Sequence, residues 1–340
     1  MQSNKSLVCA KPGSLHLEQR PPPRPEPGHA LVRTRRVGIC GTDYHIFEGK
    51  HPFLQYPRVM GHELAVDVVE APDGSGFATG ELCVVNPYIA CGDCIACRHG
   101  KYNCCSRISV LGVHRDGGMS GLLSVPVRNL LHADGLSADA CACVEFLSIG
   151  AHAVRRGGVA AGDRVLVVGA GPIGLGAALF SRLAGGEVTV LDMSPERMAA
   201  ARSILGVDAI GDGVDPAEAI SARTQGEGYD IVFDATGNQQ SMQAGFGYVA
   251  HGGRYVLVSV VNDTITFQDP VFHGREMTLF ASRNATSGDF ERVIRAMRNG
   301  DVPLRELITH RTSLADAVGN IPIWAQNKSG LIKALIVIDD

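Results

Sequence analysis

The sequence predicts an α/β protein in which a doubly wound parallel sheet is inserted in a β-rich domain made from both ends of the chain. Three observations carry this. Between Arg164 and Val258, short apolar runs alternate with helical runs, as βαβ units do. The flanking segments read instead as short strands, with few helices. There are 41 glycines among 340 residues, 45% hydrophobic residues and one Trp, which suits many tight turns around large cores. A chain of this length spans about two domains and needs no covalent staples.

The elements follow in order. Residues 1–30 read as a β-hairpin region. The tract Arg20-Pro-Pro-Pro-Arg-Pro-Glu-Pro-Gly28 excludes helix and central strand, because proline fixes φ and has no N–H. It reads as an extended surface connection. Ala30 to Val37 is a strand entering Gly38-Ile39-Cys40-Gly41. Leu64 to Val69 and Leu82 to Val85 are strands separated by Asp73-Gly-Ser-Gly76. Residues 87–107 form an irregular, cysteine-bearing loop, and 108–131 short strands with a turn at Asp116-Gly-Gly118. Ala138 to Val154 suits a helix. The alternating part is strand Arg164–Val168, helix Ile173–Leu183, strand Val188–Leu191, helix Pro195–Leu205, then strands Tyr229–Phe233 and Arg254–Val258. Asp289 to Asn299 reads as a helix and Leu331 to Ile338 as a final apolar strand.

Lys plus Arg is 31 and Asp plus Glu is 35, a net charge of −4. That argues against nucleic acid or an anionic membrane as a partner. Met1 to Ala10 is mixed polar and lacks an apolar signal core. Val165 to Ser181 carries no charge, but it is interrupted by Pro172 and several glycines and falls short of the ~20 apolar residues of a span. The expectation is a cytoplasmic protein. Thiols stay reduced there, so clustered cysteines bind metal more often than each other.

Strand Val165–Val168 runs into Gly169-Ala170-Gly171-Pro172-Ile173-Gly174 and then a helix. In that context the glycines allow a sharp turn, a close approach to a pyrophosphate and tight packing of helix on strand. The helix N-terminus offers free N–H groups to phosphate. Asp192, ending the next strand, can accept from both ribose hydroxyls and would repel a 2′-phosphate, so NAD is favoured over NADP. Arg197 is either an adenine contact or a solvated helix charge.

Cys91-x2-Cys94-x2-Cys97-x7-Cys105 is the strongest metal signal. Four thiolates on an irregular loop close a tetrahedral structural zinc site, which is favoured over a redox pair or an iron–sulfur cluster. Cys104 adjoins Cys105, and only one can be the fourth ligand. The remaining thiols, Cys9, Cys83, Cys141, Cys143 and Cys104, read as packing residues. Cys40-Gly-Thr42-Asp43-Tyr-His45 and Gly61-His62-Glu63 together offer thiolate, imidazole and carboxylate. Glu145 is a carboxylate inside an otherwise apolar helix, and a buried carboxylate needs a partner such as a metal.

With these motifs in this order, the chain resembles the zinc-dependent medium-chain alcohol/polyol dehydrogenases over nearly its whole length. The motifs are Val37-Gly-Ile-Cys-Gly-Thr-Asp43, Gly61-His-Glu63, Cys91 through Cys105, Val144-Glu-Phe-Leu-Ser148 and Gly169–Gly174. The resemblance implies a GroES-like catalytic domain from residues 1–147 and 283–340, and a Rossmann NAD-binding domain from 148–282, with the active site in the cleft between. It implies two zinc ions per chain. Cys40 and His62 match the catalytic zinc ligands, Glu63 a carboxylate that ligates directly or through water, and Glu145 the glutamate of the sorbitol, polyol and threonine branch. Thr42 and His45 match the proton relay, and Asp43 an acid that orients His62. Cys105 matches the fourth structural ligand. Ser282-Arg283-Asn284 fits the sugar-acid members, where Arg283 meets either a substrate carboxylate or the cofactor.

The implied activity is NAD-linked oxidation of a secondary hydroxyl of a polyol or sugar acid, such as an aldonate or keto-deoxy sugar acid. A threonine-type amino-alcohol dehydrogenase is the nearest alternative, and a non-catalytic zinc- and nucleotide-binding regulator the alternative from another class. The resemblance also implies a homo-oligomer, a tetramer or a dimer.

Overall fold

A computed structural model describes residues 4–50, 54–211 and 213–338. The chain divides into two compact units. One comprises Met1–Glu145, Thr286–Gly300 and Leu304–Asp340, and the other Phe146–Ala285 with Asp301–Pro303.

The first unit is built on a seven-stranded sheet. Its order is Leu130–His132, Leu82–Val85, Glu63–Glu70, His29–Ile39, Lys333–Val337, Ile308–Ser313, and Leu122–Pro126 also pairs with the long strand His29–Ile39. Pairing is antiparallel except between the last two strands of the path. The N-terminal hairpin, Asn4–Lys11 with Ser14–Arg20, forms a second sheet with Arg58–Val59. Alternation along the strands puts Val32, Val37, Leu64, Val66 and Val85 into one core with Leu7, Met119 and Ile336.

The second unit carries six parallel strands in the order Asp208–Ile210, Glu187–Leu191, Arg164–Val168, Tyr229–Asp234, Val249–Leu257, Thr278–Ala281. The order reverses direction at Arg164–Val168, which makes the end of that strand the switch point where open α/β sheets bind ligands. Val165, Leu166 and Val167 are fully buried, as strands covered by helices on both faces require. The α/β class, with a doubly wound sheet inserted in a β-rich unit, is the one the sequence implies.

Several elements differ from the sequence reading. Ala138 to Val154 is two helices, Ala138–Ala142 and Val144–Gly157, not one. Cys143 closes the first with a three-residue hydrogen bond, its N–H donating to Ala140 O at 2.9 Å. The second helix therefore starts afresh with Glu145 in its first turn. The loop after residue 87 contains a short strand Tyr88–Ile89, paired with Ser109–Val110, and a helical turn Ile95–Arg98. Strand Ile308–Ser313 has a polar sequence, and the expected final strand shortens to Lys333–Val337. Cys104 is exposed, so it is not a packing thiol, whereas Cys9, Cys83, Cys141 and Cys143 are buried. No helix among the described residues is long and apolar enough to cross a membrane.

Candidate metal centres and dinucleotide cradle

In the first unit, Cys40 stands at the N-terminal end of helix Gly41–Phe47, just past the long strand His29–Ile39. Asp43 caps that helix by accepting from the Cys40 N–H at 2.9 Å, and its other oxygen accepts from the Gly61 N–H at 3.2 Å. One buried carboxylate thus ties the Cys40 segment to the His62 segment. The ligand atoms of Cys40, His62 and Glu63 all lie within 4.8 Å of one another. Thiolate, imidazole and carboxylate at that spacing fit zinc. His62 Nδ1 lies 3.9 Å from Asp43 Oδ1, an ion-pair distance beyond a hydrogen bond. Burial alone would lower the His62 pKa, but Asp43 and Cys40 outweigh it and raise it well above the ordinary value.

Two further side chains complete the centre. Lys333 Nζ lies 2.7 Å from both oxygens of Glu63 and donates to Ile39 O at 3.2 Å. Lys333 is 1% exposed and Glu63 0%, so this is a fully buried ion pair. The two residues come from the strands that flank His29–Ile39, and Gly38 lies between them. A Cβ at position 38 would stand 2.0 Å from Glu63 Oε2. Glycine in Val37-Gly-Ile-Cys40 is therefore what lets the carboxylate lie across the central strand. Glu145 has a different partner, the hydroxyl of Tyr88, which donates to Oε1. Burial, first of all, raises the Glu145 carboxyl to about 7. Burial and the nearby Glu145 hold the Tyr88 phenol well above its ordinary value.

The sulfurs of Cys91, Cys94, Cys97 and Cys105 also converge within 4.8 Å. Cys94 precedes the turn Ile95–Arg98, and Cys105 follows the turn Tyr102–Cys104. The Cys91 N–H donates to Cys105 Sγ at 3.3 Å. Backbone donors hold the Cys94 thiol down to about 5, as suits a thiolate ligand. The residue beside Cys105, Cys104, is outside this group.

In the second unit, Gly169 has φ of +96°, and helix Pro172–Leu183 begins immediately beyond the glycine loop with Gly171 as its cap. A Cβ on Gly174 would stand 1.7 Å from Gly169 O, so only glycine fits there. A Cβ on Gly171 would meet nothing within 4 Å, which leaves open space beside the N–H groups of the helix start. Pro172 occupies the first turn at no cost in hydrogen bonds, and Ile173 follows it. Asp192 accepts from the Ala170 N–H at 2.7 Å and from the Ser194 N–H at 2.8 Å. Arg197 Nη1 lies 3.8 Å from Asp192 Oδ2. This loop, with its acid at the end of the next strand, fits a dinucleotide.

Of the residues singled out from sequence, Cys40, His62 and Glu63 form one cluster, and Cys91, Cys94, Cys97 and Cys105 another. Glu145 is outside the first cluster's 4.8 Å limit and points a carboxylate oxygen at Tyr88. Thr42 Oγ1 is 3.8 Å from Cys40 Sγ, and His45 lies one turn further on the same short helix, exposed. Ser282 is buried, its N–H bonded to Leu257 O and its hydroxyl without a partner. Arg283 is exposed, and Asn284 has φ of +53°. Sequence reasoning missed Tyr88 and Lys333. A lysine within an apolar final strand was a usable signal, whereas Tyr88 had none beyond its nearness to Cys91.

Comparison with known proteins agrees with this geometry. Residues 26–135 match the family described as alcohol dehydrogenase GroES-like domain, and residues 172–299 the zinc-binding dehydrogenase family. The chain is 41% identical over 338 residues to L-galactonate-5-dehydrogenase of Escherichia coli (strain K12), covering 99% of each chain. It is 30% identical to a sorbitol dehydrogenase of Halalkalibacterium halodurans, covering 92% of this chain and 93% of that one. Among solved structures, an alcohol dehydrogenase of Escherichia coli CFT073 in complex with NADH superposes with a TM-score of 0.92 at 29% identity, covering 99% of this chain and 100% of that one. Motifs, geometry and likeness coincide, and the chain belongs to the zinc-dependent medium-chain polyol and sugar-acid dehydrogenases.

Proposed function

We propose that this dehydrogenase oxidises a secondary hydroxyl of a sugar acid, an aldonate or keto-deoxy sugar acid, with NAD as acceptor. The observation that carries the reading is the likeness to L-galactonate-5-dehydrogenase along the full chain, joined to a cluster of thiolate, imidazole and carboxylate with the buried Glu145 carboxyl close enough to feel His62. Cys40, His62 and the carboxylates Glu63 and Glu145 would hold the catalytic zinc, and Cys91, Cys94, Cys97 and Cys105 the structural one. Bound zinc supplies Lewis acidity that lowers the pKa of the substrate hydroxyl. Asp43 fixes the relative position of Cys40 and His62. Thr42 would relay the hydroxyl proton, giving up its own as it accepts one, and His45, exposed one turn away, would pass a proton to solvent. Gly169, Gly171, Pro172, Ile173 and Gly174 seat the pyrophosphate of NAD at the helix start, and Asp192 holds the adenosine ribose. Arg197 lies over the adenine side, and Ser282, Arg283 and Asn284 line the nicotinamide or carboxylate end.

The reading extends to organisation. Residues 1–147 and 283–340 act as the catalytic domain and 148–282 as the nucleotide domain of a cytoplasmic homo-oligomer, a tetramer or a dimer. Edge strand Thr278–Ala281, with Leu279 exposed, offers unpaired backbone groups to a second copy. A net charge of −4 gives no support to a nucleic-acid partner.

The test is nicotinamide reduction across a panel of aldonates, polyols and 3-hydroxy amino acids. Aldonates should be preferred. Preference for a 3-hydroxy amino acid, or no turnover on the panel, overturns the reading. Cys40→Ser or His62→Ala should abolish turnover while NAD binding persists, and full activity in metal-free protein would refute the scheme.

A further inference from the structure

One carboxylate, Glu63, stands in the Cys40–His62 cluster and a second, Glu145, lies close enough to act on His62, and the fold gives them unlike partners. Glu63 is neutralised by Lys333, 2.7 Å from both of its oxygens. Glu145 receives a neutral donor, the Tyr88 hydroxyl, on Oε1 alone. We propose that Tyr88 is a positioning residue: its phenol fixes the orientation of Glu145 and leaves that carboxylate's charge for the catalytic metal. The inference rests on the zinc-dependent reading above and deepens it.

Three features support it. First, both groups are buried, Tyr88 at 7% exposed and Glu145 at 3%, so water does not supply a competing donor of equal access. A buried carboxylate bonded at one oxygen loses rotational freedom and keeps its other oxygen for a second partner. Secondly, the phenol is itself held. The Tyr88 N–H donates to Asn86 Oδ1 at 3.1 Å. Asn129 Nδ2 donates to Asn86 O at 2.8 Å and to Tyr88 O at 3.3 Å. The ring meets Phe290 edge-on at 6.4 Å between centroids. Thirdly, the contrast with Glu63 is chemical. An ammonium satisfies a carboxylate's charge, while a phenol satisfies only its geometry. Of the two acids, Glu63 has an ammonium in direct contact, while Glu145 feels His62 and Lys333 only at a distance and has more to gain from a divalent cation.

The experiment uses the full-length holoenzyme. Tyr88→Phe removes one oxygen and keeps the ring against Phe290. Release of zinc to a chelator should accelerate roughly tenfold for one of the two ions, while the tetracysteine ion is retained. The visible absorption of cobalt(II) exchanged into the catalytic site should shift. Tyr88→Phe should lower kcat more than it changes KM. Adding Tyr88→Phe to Glu145→Gln should produce no further change, because the phenol acts through Glu145. An unchanged release rate and cobalt spectrum in Tyr88→Phe, or additive effects in the double variant, overturns the proposal. Should Tyr88→Phe fail to fold, 3-fluorotyrosine at position 88 preserves the shape and alters only the phenol's donation. A cobalt spectrum identical to wild type then overturns the proposal, and a shifted one supports it. Failure of the underlying reading looks different: wild-type protein would itself hold one zinc per chain and reduce no nicotinamide.

Discussion

Lys333 and Glu63 meet across a strand to which neither belongs. The central strand His29–Ile39 separates them, and only the missing side chain of Gly38 lets the Glu63 carboxylate reach the ammonium at 2.7 Å. Burial opposes the charge on Lys333, yet Glu63 more than restores it, so the lysine's pKa is raised.

Breaking this pair from one side should be costly. Lys333→Met leaves an uncompensated buried carboxylate, and a loss of about 3–5 kcal/mol is expected. Lys333→Met with Glu63→Gln should recover much of it. Denaturant unfolding of the two variants measures both. A cost below about 1 kcal/mol for the single variant would remove the pair from any account of stability.

Gly38→Ala tests the same arrangement without touching either charge. The new methyl would press on Glu63 Oε2, so the carboxylate must leave Lys333 or the strand must shift. Destabilisation of about 1–3 kcal/mol is expected, readable as an earlier unfolding midpoint. Gly41→Ala is the control, because a Cβ at position 41 meets nothing within 4 Å.

Zinc binding at the catalytic centre should depend on pH through Glu145. Its carboxyl is raised to about 7 in the metal-free protein, chiefly by burial. Below that pH the group carries a proton that a metal must displace. Affinity should fall as pH drops below about 7, with a proton released from the protein into buffer on binding, and this group should add nothing above it. Titration of metal-depleted protein at several pH values should show a shallower dependence in Glu145→Gln. Equal slopes would mean that Glu145 stays out of the binding step.

The cysteines separate cleanly. Cys94→Ser should lose one zinc per chain by elemental analysis and unfold at lower temperature, since a structural zinc site contributes folding energy directly. Cys104→Ser, one residue from a ligand but exposed and outside the tetrad, should retain both ions and unfold normally. Loss of zinc from Cys104→Ser would reassign the fourth ligand.

The glycine loop gives a paired test. Gly174→Ala places a methyl 1.7 Å from Gly169 O and should destabilise the second unit itself. Gly171→Ala fills open space and should leave stability unchanged while weakening NAD, read by fluorescence titration. If both variants bind NAD as the wild type does, the pyrophosphate lies elsewhere.

Legibility followed the length of the signal. The parallel sheet was readable because its strands are short apolar runs, such as Arg164–Val168, and its helices keep a regular period. Metal ligands were readable because Cys and His at fixed spacing have few other uses. Strand Ile308–Ser313 was hidden by its polar sequence, its pairing to Lys333–Val337 being a tertiary matter. The break at Cys143 was hidden too, because no proline or glycine marks it. Tyr88 could not be assigned from sequence, and Lys333 showed there only as a lysine in an apolar strand, with its partner hidden. Their roles arise from chain segments 57 and 270 residues away from their carboxylates, and spacing along the chain carries no trace of such contacts.

Asp192 has a structural use besides the cofactor contact proposed for it. It already anchors the Ala170 N–H of the glycine loop at 2.7 Å and the Ser194 N–H of the next turn. The residue proposed to meet the adenosine ribose is thus also a fastener of the turn proposed to cradle the pyrophosphate. Removing the charge at 192 to admit NADP would also loosen the loop proposed to seat either cofactor. A workable design has to rebuild that anchor, with Asn or Ser at 192 as the first choice, before adding positive charge at Met193 or beyond.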